Sequence, residues 1–281
     1  MKLAITADSV IDVTPAILEK YDIKIVPLGI LLGDDDYLDD GSVTPEKIFS
    51  FVRETKVLPK TSAANCETYK KYFQNVLDSG YDAVIHFSLS KQMSGSHQNA
   101  VTASESFDGK VRVIDSASLS TGIALQAIYA REISLEETDL DVIVEKIKKR
   151  TPFVQASFIV EKLNYLHKGG RCSSIALLGA NLLSIRPEIV LCDGKMISAK
   201  KYLGKMEKVI EKYCKDVINE NPNPDRKYAF VTYTTATEDM INIAKSTLKE
   251  AGFETIYETT AGATITSHCG ENTLGILFLN R

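Results

Sequence analysis

The chain has 281 residues, 44% of them hydrophobic and 25% charged, with a formal net charge of -4. That length suits two domains at ~100–200 residues each or one large α/β unit, and the composition excludes collagen-like and disordered low-complexity chains. The mild acidity supplies no basic stripe for nucleic acid, and four histidines with five dispersed cysteines leave little for a metal centre or a disulfide framework, so the expected compartment is the reducing cytoplasm.

In the opening Met1–Asp8 a carboxylate arrives before a secretory apolar core can form. No uninterrupted apolar run reaches the ~18 residues of a bilayer-spanning helix. Leu3 to Thr6 reads as a short buried strand. Thr14 and Pro15 supply an N-cap and a first helical residue, and Ile23 to Leu32 resumes strand character. Asp34, Asp35, Asp36, Asp39 and Asp40 around Tyr37 predict an exposed acidic connection whose spacing does not match a calcium loop. Thr44-Pro45 opens a helix with Ile48, Phe49 and Val52 on one face. Pro59 to Ser62 reads as a polar turn, and a helix from about Asn65 carries Tyr69, Tyr72, Phe73 and Val76. Ala83 to Phe87 is a strand, followed by Ser94-Gly95-Ser96 and a helix with Ala100, Val101 and Ala103. Val111 to Ile114 is a strand, and Ser120-Thr121-Gly122 lead to the apolar Ile123, Leu125 and Ile128. This repeated strand, loop and helix predicts a mainly parallel sheet with helices on its faces. A helix through Leu140, Ile143, Val144 and Ile147 ends in three basic residues. Thr151-Pro152 then marks a boundary between an N-terminal domain, residues 1–152, and a C-terminal domain, residues 153–281.

Beyond the boundary, Val154 to Val160 predicts a strand and Leu163 with Leu166 a helical turn. Ser173-Ser174 stands before an apolar helix through Leu177 to Leu183. Arg186 to Cys192 and Lys195 to Lys200 form two strands joined tightly at Asp193-Gly194. A helix from Lys205 presents Met206, Val209, Ile210, Tyr213 and Val217, and Asn221-Pro222-Asn223-Pro224 stops it. Strands follow at Tyr228–Tyr233, Glu254–Thr259 and Leu274–Leu279, with a helix through Ile241, Ala244 and Leu248, while Ala261 to Gly270 reads as a polar connection. The hairpin makes this second sheet mixed. The expected class is α/β, in two units.

Ser94-Gly95-Ser96 stands at a helix start, where unpaired amides and the helix dipole suit a carboxylate or phosphate. Ser94 is either an N-cap or a ligand contact, and the roles are compatible. Thr61 and Ser62 add hydroxyl donors. Arg171, after Lys168-Gly169-Gly170, either orients a carboxylate or pairs with a surface acid. His268 is either a donor to a ligand or structural, and Cys269 reads as a packing thiol because no orienting carboxylate accompanies the adjacent histidine. Neither dinucleotide nor P-loop glycine fingerprint is present around Gly169-Gly170, and His86 and His97 form no metal-ligand pattern.

Ala7-Asp8-Ser9, Val26-Pro27-Leu28, Thr61-Ser62, Ser94-Gly95-Ser96, Asp115-Ser116, the Leu163 to Ser173 block and Thr266 to Gly270 together resemble the DegV family, over essentially the whole chain. That family includes the fatty-acid-binding component of bacterial fatty acid kinase. The resemblance implies a two-domain α/β body with a long-chain fatty acid in an apolar tunnel. It implies carboxylate contacts from Thr61 and Ser94, a polar site completed by Ser62, Gly95 and Ser96, and Arg171 and His268 beside the head group. It further implies binding without covalent catalysis, no cofactor or metal, and a separate ATP-dependent kinase that converts the presented carboxylate to an acyl phosphate. Transient membrane contact is compatible with that role. The Ala63-Ala64-Asn65 segment, His97 and Cys269-Gly270-Glu271-Asn272 depart from the family pattern around the pocket lip. The rival readings are a stand-alone serine or cysteine hydrolase or acyltransferase, and a regulatory protein that senses a small carboxylate.

Overall fold

The computed structural model describes residues 1–172 and 185–281, so the helix expected from Ser173 to Leu183 lies outside the described residues. Strands β1 (Leu3–Asp8), β2 (Ile23–Val26), β6 (Ala83–Ser88) and β7 (Val111–Asp115) form a four-stranded sheet in the order β2-β1-β6-β7, every pair parallel. β1 and β6 are buried along their whole length, each opening on apolar residues before the buried polar pairs Thr6, Asp8 and His86, Ser88. A small antiparallel sheet, β4-β3-β5, joins β3 (Gly29–Leu32), β4 (Asp35–Leu38) and β5 (Lys60–Ser62). The third sheet is mixed and six-stranded. Its order is β10-β9-β8-β13-β11-β12, built from β8 (Val154–Ile159), β9 (Ile185–Cys192), β10 (Lys195–Leu203), β11 (Pro224–Tyr233), β12 (Thr255–Thr260) and β13 (Leu274–Asn280). Only its β11–β12 pair is parallel.

Helices α1 (Pro15–Lys20), α2 (Pro45–Thr55), α3 (Cys66–Asp78) and α4 (Ser96–Ser104) belong to the first half, with α5 (Thr121–Ile133) and α6 (Leu140–Arg150). Thr14, Thr44, Asn65 and Asp139 each accept a first-turn amide hydrogen bond at the start of α1, α2, α3 and α6, so these starts are encoded locally. The second half contains α7 (Asn164–Gly169), α8 (Met206–Glu220), α9 (Glu238–Glu250) and α10 (Ala263–Cys269).

Helix α5 is buried from Thr121 through Ile128 and again at Ala130, because it touches β1 and β6 on one side and β8, β11 and β13 on the other. A helix apolar on all sides requires such a position between layers. Ile123, Leu125 and Ile128, each at most 1% exposed, contribute roughly 1.5–3 kcal/mol apiece by leaving water. They unite the parallel sheet with Phe158, Phe230 and Leu277 in one core. On the opposite face of the six-stranded sheet, Val209, Ile210 and Tyr213 of α8 and Met240, Ala244 and Leu248 of α9 cover Val231, Ile276 and Phe278.

Four local expectations need correction. Ile23 to Leu32 is not one strand: the chain leaves the parallel sheet before Pro27 and enters the small sheet at Gly29, since proline has no amide for a ladder. The acidic connection is partly strand β4, and Asp39 is buried at 6% exposure. Pro59 to Ser62 ends in edge strand β5, paired with β3 through Gly29–Ser62 and Ile30–Thr61. Ala261 to Gly270 contains helix α10, whose stabilising partners are far away in sequence.

Candidate functional site

Helix α10 has no side-chain cap of its own. Two carboxylates from the first fifth of the chain replace it. The Gly262 amide donates to Asp12 Oδ1 at 2.8 Å, and the Ala263 and Thr264 amides donate to Asp39 Oδ1 and Oδ2 at 2.9 and 3.2 Å. These are the amides that an isolated helix leaves unpaired. Ser9 Oγ donates to Asp39 Oδ2 at 3.1 Å and Ser120 Oγ to Asp12 Oδ2 at 2.6 Å. Asp12 and Ser120 face each other with φ of 52° and 51°, unfavourable backbone for residues with a Cβ that survives where surroundings fix it. Burial pushes the Asp12 pKa up to about 8, outweighing the lowering effect of its hydrogen bonds from Ser120 and Gly262. Asp12 thus takes up a proton far more readily than an ordinary carboxylate, and once protonated its Oδ2 donates to Ser120 Oγ instead of accepting from it.

So anchored, α10 carries His268 to β5. Thr61 Oγ1 and His268 Nε2 are 2.9 Å apart. Burial, reinforced by the positive charge of Arg171, holds the His268 pKa down to about 4, which leaves the imidazole neutral at pH 7. Its Nδ1 has no hydrogen-bond partner among the described residues, and the missing side chain of Gly169 explains how the backbone comes so close: a Cβ there would lie 2.6 Å from Nδ1. Arg171 is exposed and donates from Nη1 to the Gly169 carbonyl at 2.6 Å.

Thr61, Ser62, Ser94, Arg171 and His268 line one cavity of about 550 Å³, measured with its open mouth. Gly95 and Ser96 lie outside its lining. Gly95 is the exposed N-cap residue of α4, and Ser96 is fully buried behind Ser94, their hydroxyls 3.0 Å apart. Ser94 Oγ also accepts the Ser96 amide at 3.1 Å. It thus satisfies a helix-start donor while bordering the cavity.

Away from these polar groups the cavity wall is Leu28, Leu89, Met93, Leu119, Met196 and Ile265. Leu119, Ile265 and Cys269 also border a second space of about 370 Å³, open solvent included, whose walls include Ala156, Phe158 and Leu277 of the six-stranded sheet. Together the two spaces run from a polar lip to an apolar interior. Burial raises the Cys269 thiol far above its ordinary range, so this wall residue is not a thiolate nucleophile. Among the described residues no group of three or more His, Cys, Asp and Glu is arranged to hold a metal ion.

Sequence reasoning missed Asp12, Asp39 and the apolar linings. The acidic run containing Asp39 was visible, but its use as a helix cap depends on a partner 224 residues away. The available signal was indirect: a glycine followed by small and polar residues, Gly262-Ala263-Thr264, can begin a helix if acceptors come from elsewhere.

The DegV family model, described as an uncharacterised protein family, matches residues 2–281. A Thermotoga maritima fatty acid-binding protein is 30% identical over 282 residues, covering 98% of this chain and 96% of the relative. The fold is similar to that of a Thermus thermophilus DegV family protein described for its fatty acid binding, with TM-score 0.92, 26% identity and complete coverage of both chains. It is likewise similar to a DegV lipid-binding protein of T. maritima, with TM-score 0.88, 29% identity and coverage of 100% and 99%. With its three sheets, flanking helices and near-complete family match, the chain belongs to the DegV family.

Proposed function

We propose that this protein binds a long-chain fatty acid and presents its carboxylate to a separate ATP-dependent kinase for acyl phosphate formation. The observation that carries the binding reading is the polar lip of Thr61, Ser62, Ser94, Arg171 and His268 on a cavity whose apolar wall, at Leu119, Ile265 and Cys269, is shared with a second apolar space. A carboxylate stays hydrogen-bonded at the lip while each buried methylene of the tail contributes roughly 0.8 kcal/mol. The names of the related proteins support the same ligand class.

The neutral His268 proton belongs on Nε2. There it donates to Thr61 Oγ1, leaving the Thr61 hydroxyl proton for the ligand and only a lone pair unpartnered at Nδ1. The other tautomer would bury an N–H without an acceptor, which costs more. Thr61 and Ser94 are then the direct donors, Ser62 borders them, Arg171 supplies positive charge at the mouth, and Gly95 and Ser96 support Ser94 from behind.

A hydrolase mechanism is disfavoured at this lip. Thr61–His268 is a hydroxyl–imidazole pair, but a base with pKa about 4 has little proton affinity at pH 7, and no carboxylate among the described residues hydrogen-bonds its Nδ1. On this proposal the nucleotide chemistry belongs to the separate kinase. Residues 1–152 and 153–281 are read as two domains that share the cavity, each contributing part of its wall. No helix among the described residues is long and apolar enough to cross a membrane; cytoplasmic residence with brief membrane contact for ligand exchange fits this role.

Mass spectrometry of ligands extracted from folded, purified protein tests the proposal, with denatured protein as the control. A stoichiometric long-chain fatty acid is the expected result, and adding the kinase with ATP should yield acyl phosphate. Protein that is empty and cannot be loaded would overturn the binding reading. Loaded protein that no such kinase phosphorylates would overturn the presentation step alone.

A further inference from the structure

The tip of a hairpin ordinarily faces water, yet Gly194, in the turn between β9 and β10, is buried while the adjacent Asp193 is exposed. The tip inserts between two loops of the first half. Ser90 Oγ donates to the Gly194 carbonyl at 2.7 Å, and a Cβ on Gly194 would fall 2.6 Å from Ser90 Oγ and 3.6 Å from Ala117 Cα. Asp193 and Gly194 have φ of 48° and 75°, the left-handed pair that a two-residue hairpin turn demands. Both turn geometry and space therefore require glycine. Two residues further on, the hairpin places Met196 in the cavity wall.

Ser90 is also tied to the head-group side. Its carbonyl accepts the amides of Met93 at 2.9 Å and Ser94 at 3.2 Å, and its own amide donates to the Ser118 carbonyl at 3.1 Å, one residue before Leu119. Its side chain is fully buried. One serine thus joins the hairpin, the Ser94 loop and the Leu119 loop, each of which lines the cavity.

Resting on the fatty-acid reading above, we propose that Ser90 is a positioning residue that fastens the β9–β10 hairpin across the cavity as a strap, and that ligand exchange requires the Ser90–Gly194 joint to open. The strap covers the tail and makes no contact that depends on the ligand's charge. Loosening it therefore speeds entry and exit together, for a fatty acid and for the uncharged fatty alcohol of the same length.

Stopped-flow association and dissociation of both probes, on the full chain and on Ser90→Ala and Gly194→Ala, tests this. Ser90→Ala removes one oxygen and keeps the turn, so it remains informative if Gly194→Ala impairs folding. Both rate constants are expected to rise roughly tenfold for both probes, the effect of losing the two hydrogen bonds of Ser90 Oγ, to the Gly194 carbonyl and from the Gln92 amide, with a smaller change in Kd. Ser94→Ala should instead affect the acid alone. Wild-type rates in Ser90→Ala, or acceleration confined to the acid, would overturn the strap while leaving fatty-acid binding intact. Failure of the wild-type chain to bind either probe would overturn both.

Discussion

Replacing His268 by glutamine isolates a pH dependence that the wild-type stability curve conceals. Burial and the Arg171 charge hold the native pKa near 4, against 6.5 for an ordinary histidine. Between those values the unfolded chain binds more protons than the native one, so stability falls as pH drops. The contribution is complete above 6.5 and lost below about 4. At about 1.36 kcal/mol per pH unit, that window corresponds to roughly 3 kcal/mol. Asp12 acts in the opposite sense. Its native pKa of about 8, raised from 3.8 by burial, makes the native chain bind the extra proton, so its contribution is present at low pH and is lost as pH rises toward 8. The two slopes oppose each other between about pH 4 and 6.5, and only variants separate them. Urea unfolding of wild type and His268→Gln at pH 7 and pH 4.5 is the assay. Wild type is expected to lose roughly 2–3 kcal/mol more than the variant on acidification. Equal losses would refute a neutral, half-buried His268. In the companion measurement, wild type should lose several kcal/mol relative to Asp12→Asn between pH 4 and pH 8, and parallel curves would refute a raised Asp12 pKa.

Asp39→Ala strips acceptors from Ser9, Ala263 and Thr264; it should cost roughly 2–4 kcal/mol by leaving buried donors unpaired, read by denaturant unfolding, and an unchanged midpoint would count against the clamp. Ser94→Ala and Arg171→Ala should weaken fatty-acid retention more than they lower the melting temperature. Full retention in both, measured by extraction and mass spectrometry, would remove them from the head-group site. Gly169→Ala places a Cβ against His268 Nδ1 and should weaken acid binding severalfold by displacing His268 from Thr61, whereas unaltered affinity would show that this close approach does not matter.

Elements with local signals were legible in the sequence. Thr14-Pro15, Thr44-Pro45 and Asn65 carry their own caps, the apolar openings of β1 and β6 announce buried strands, and Asp193-Gly194 announces a hairpin turn. What failed were elements stabilised across long sequence distances. Helix α10 contains three β-branched residues, Thr264, Ile265 and Thr266, a composition that lowers intrinsic helix propensity, and its start depends on Asp12 and Asp39. Edge strand β5 is only three residues long and owes its extended form to β3. The polar lip shows the same division: Thr61, Ser94, Arg171 and His268 could be singled out by chemistry and resemblance, whereas the proximity of Thr61 to His268, 207 residues apart, and the apolar wall at Leu119 and Ile265 shared by two spaces follow only from the packing of the sheets.

A structure determined with a long-chain fatty acid bound tests the central proposal most directly. The carboxylate should lie within hydrogen-bonding distance of the Thr61 and Ser94 hydroxyls, with the tail running past Leu119 and Ile265 toward Ala156 and Phe158. A carboxylate seated away from Thr61 and Ser94, or a tail that leaves both apolar spaces unfilled, would contradict it.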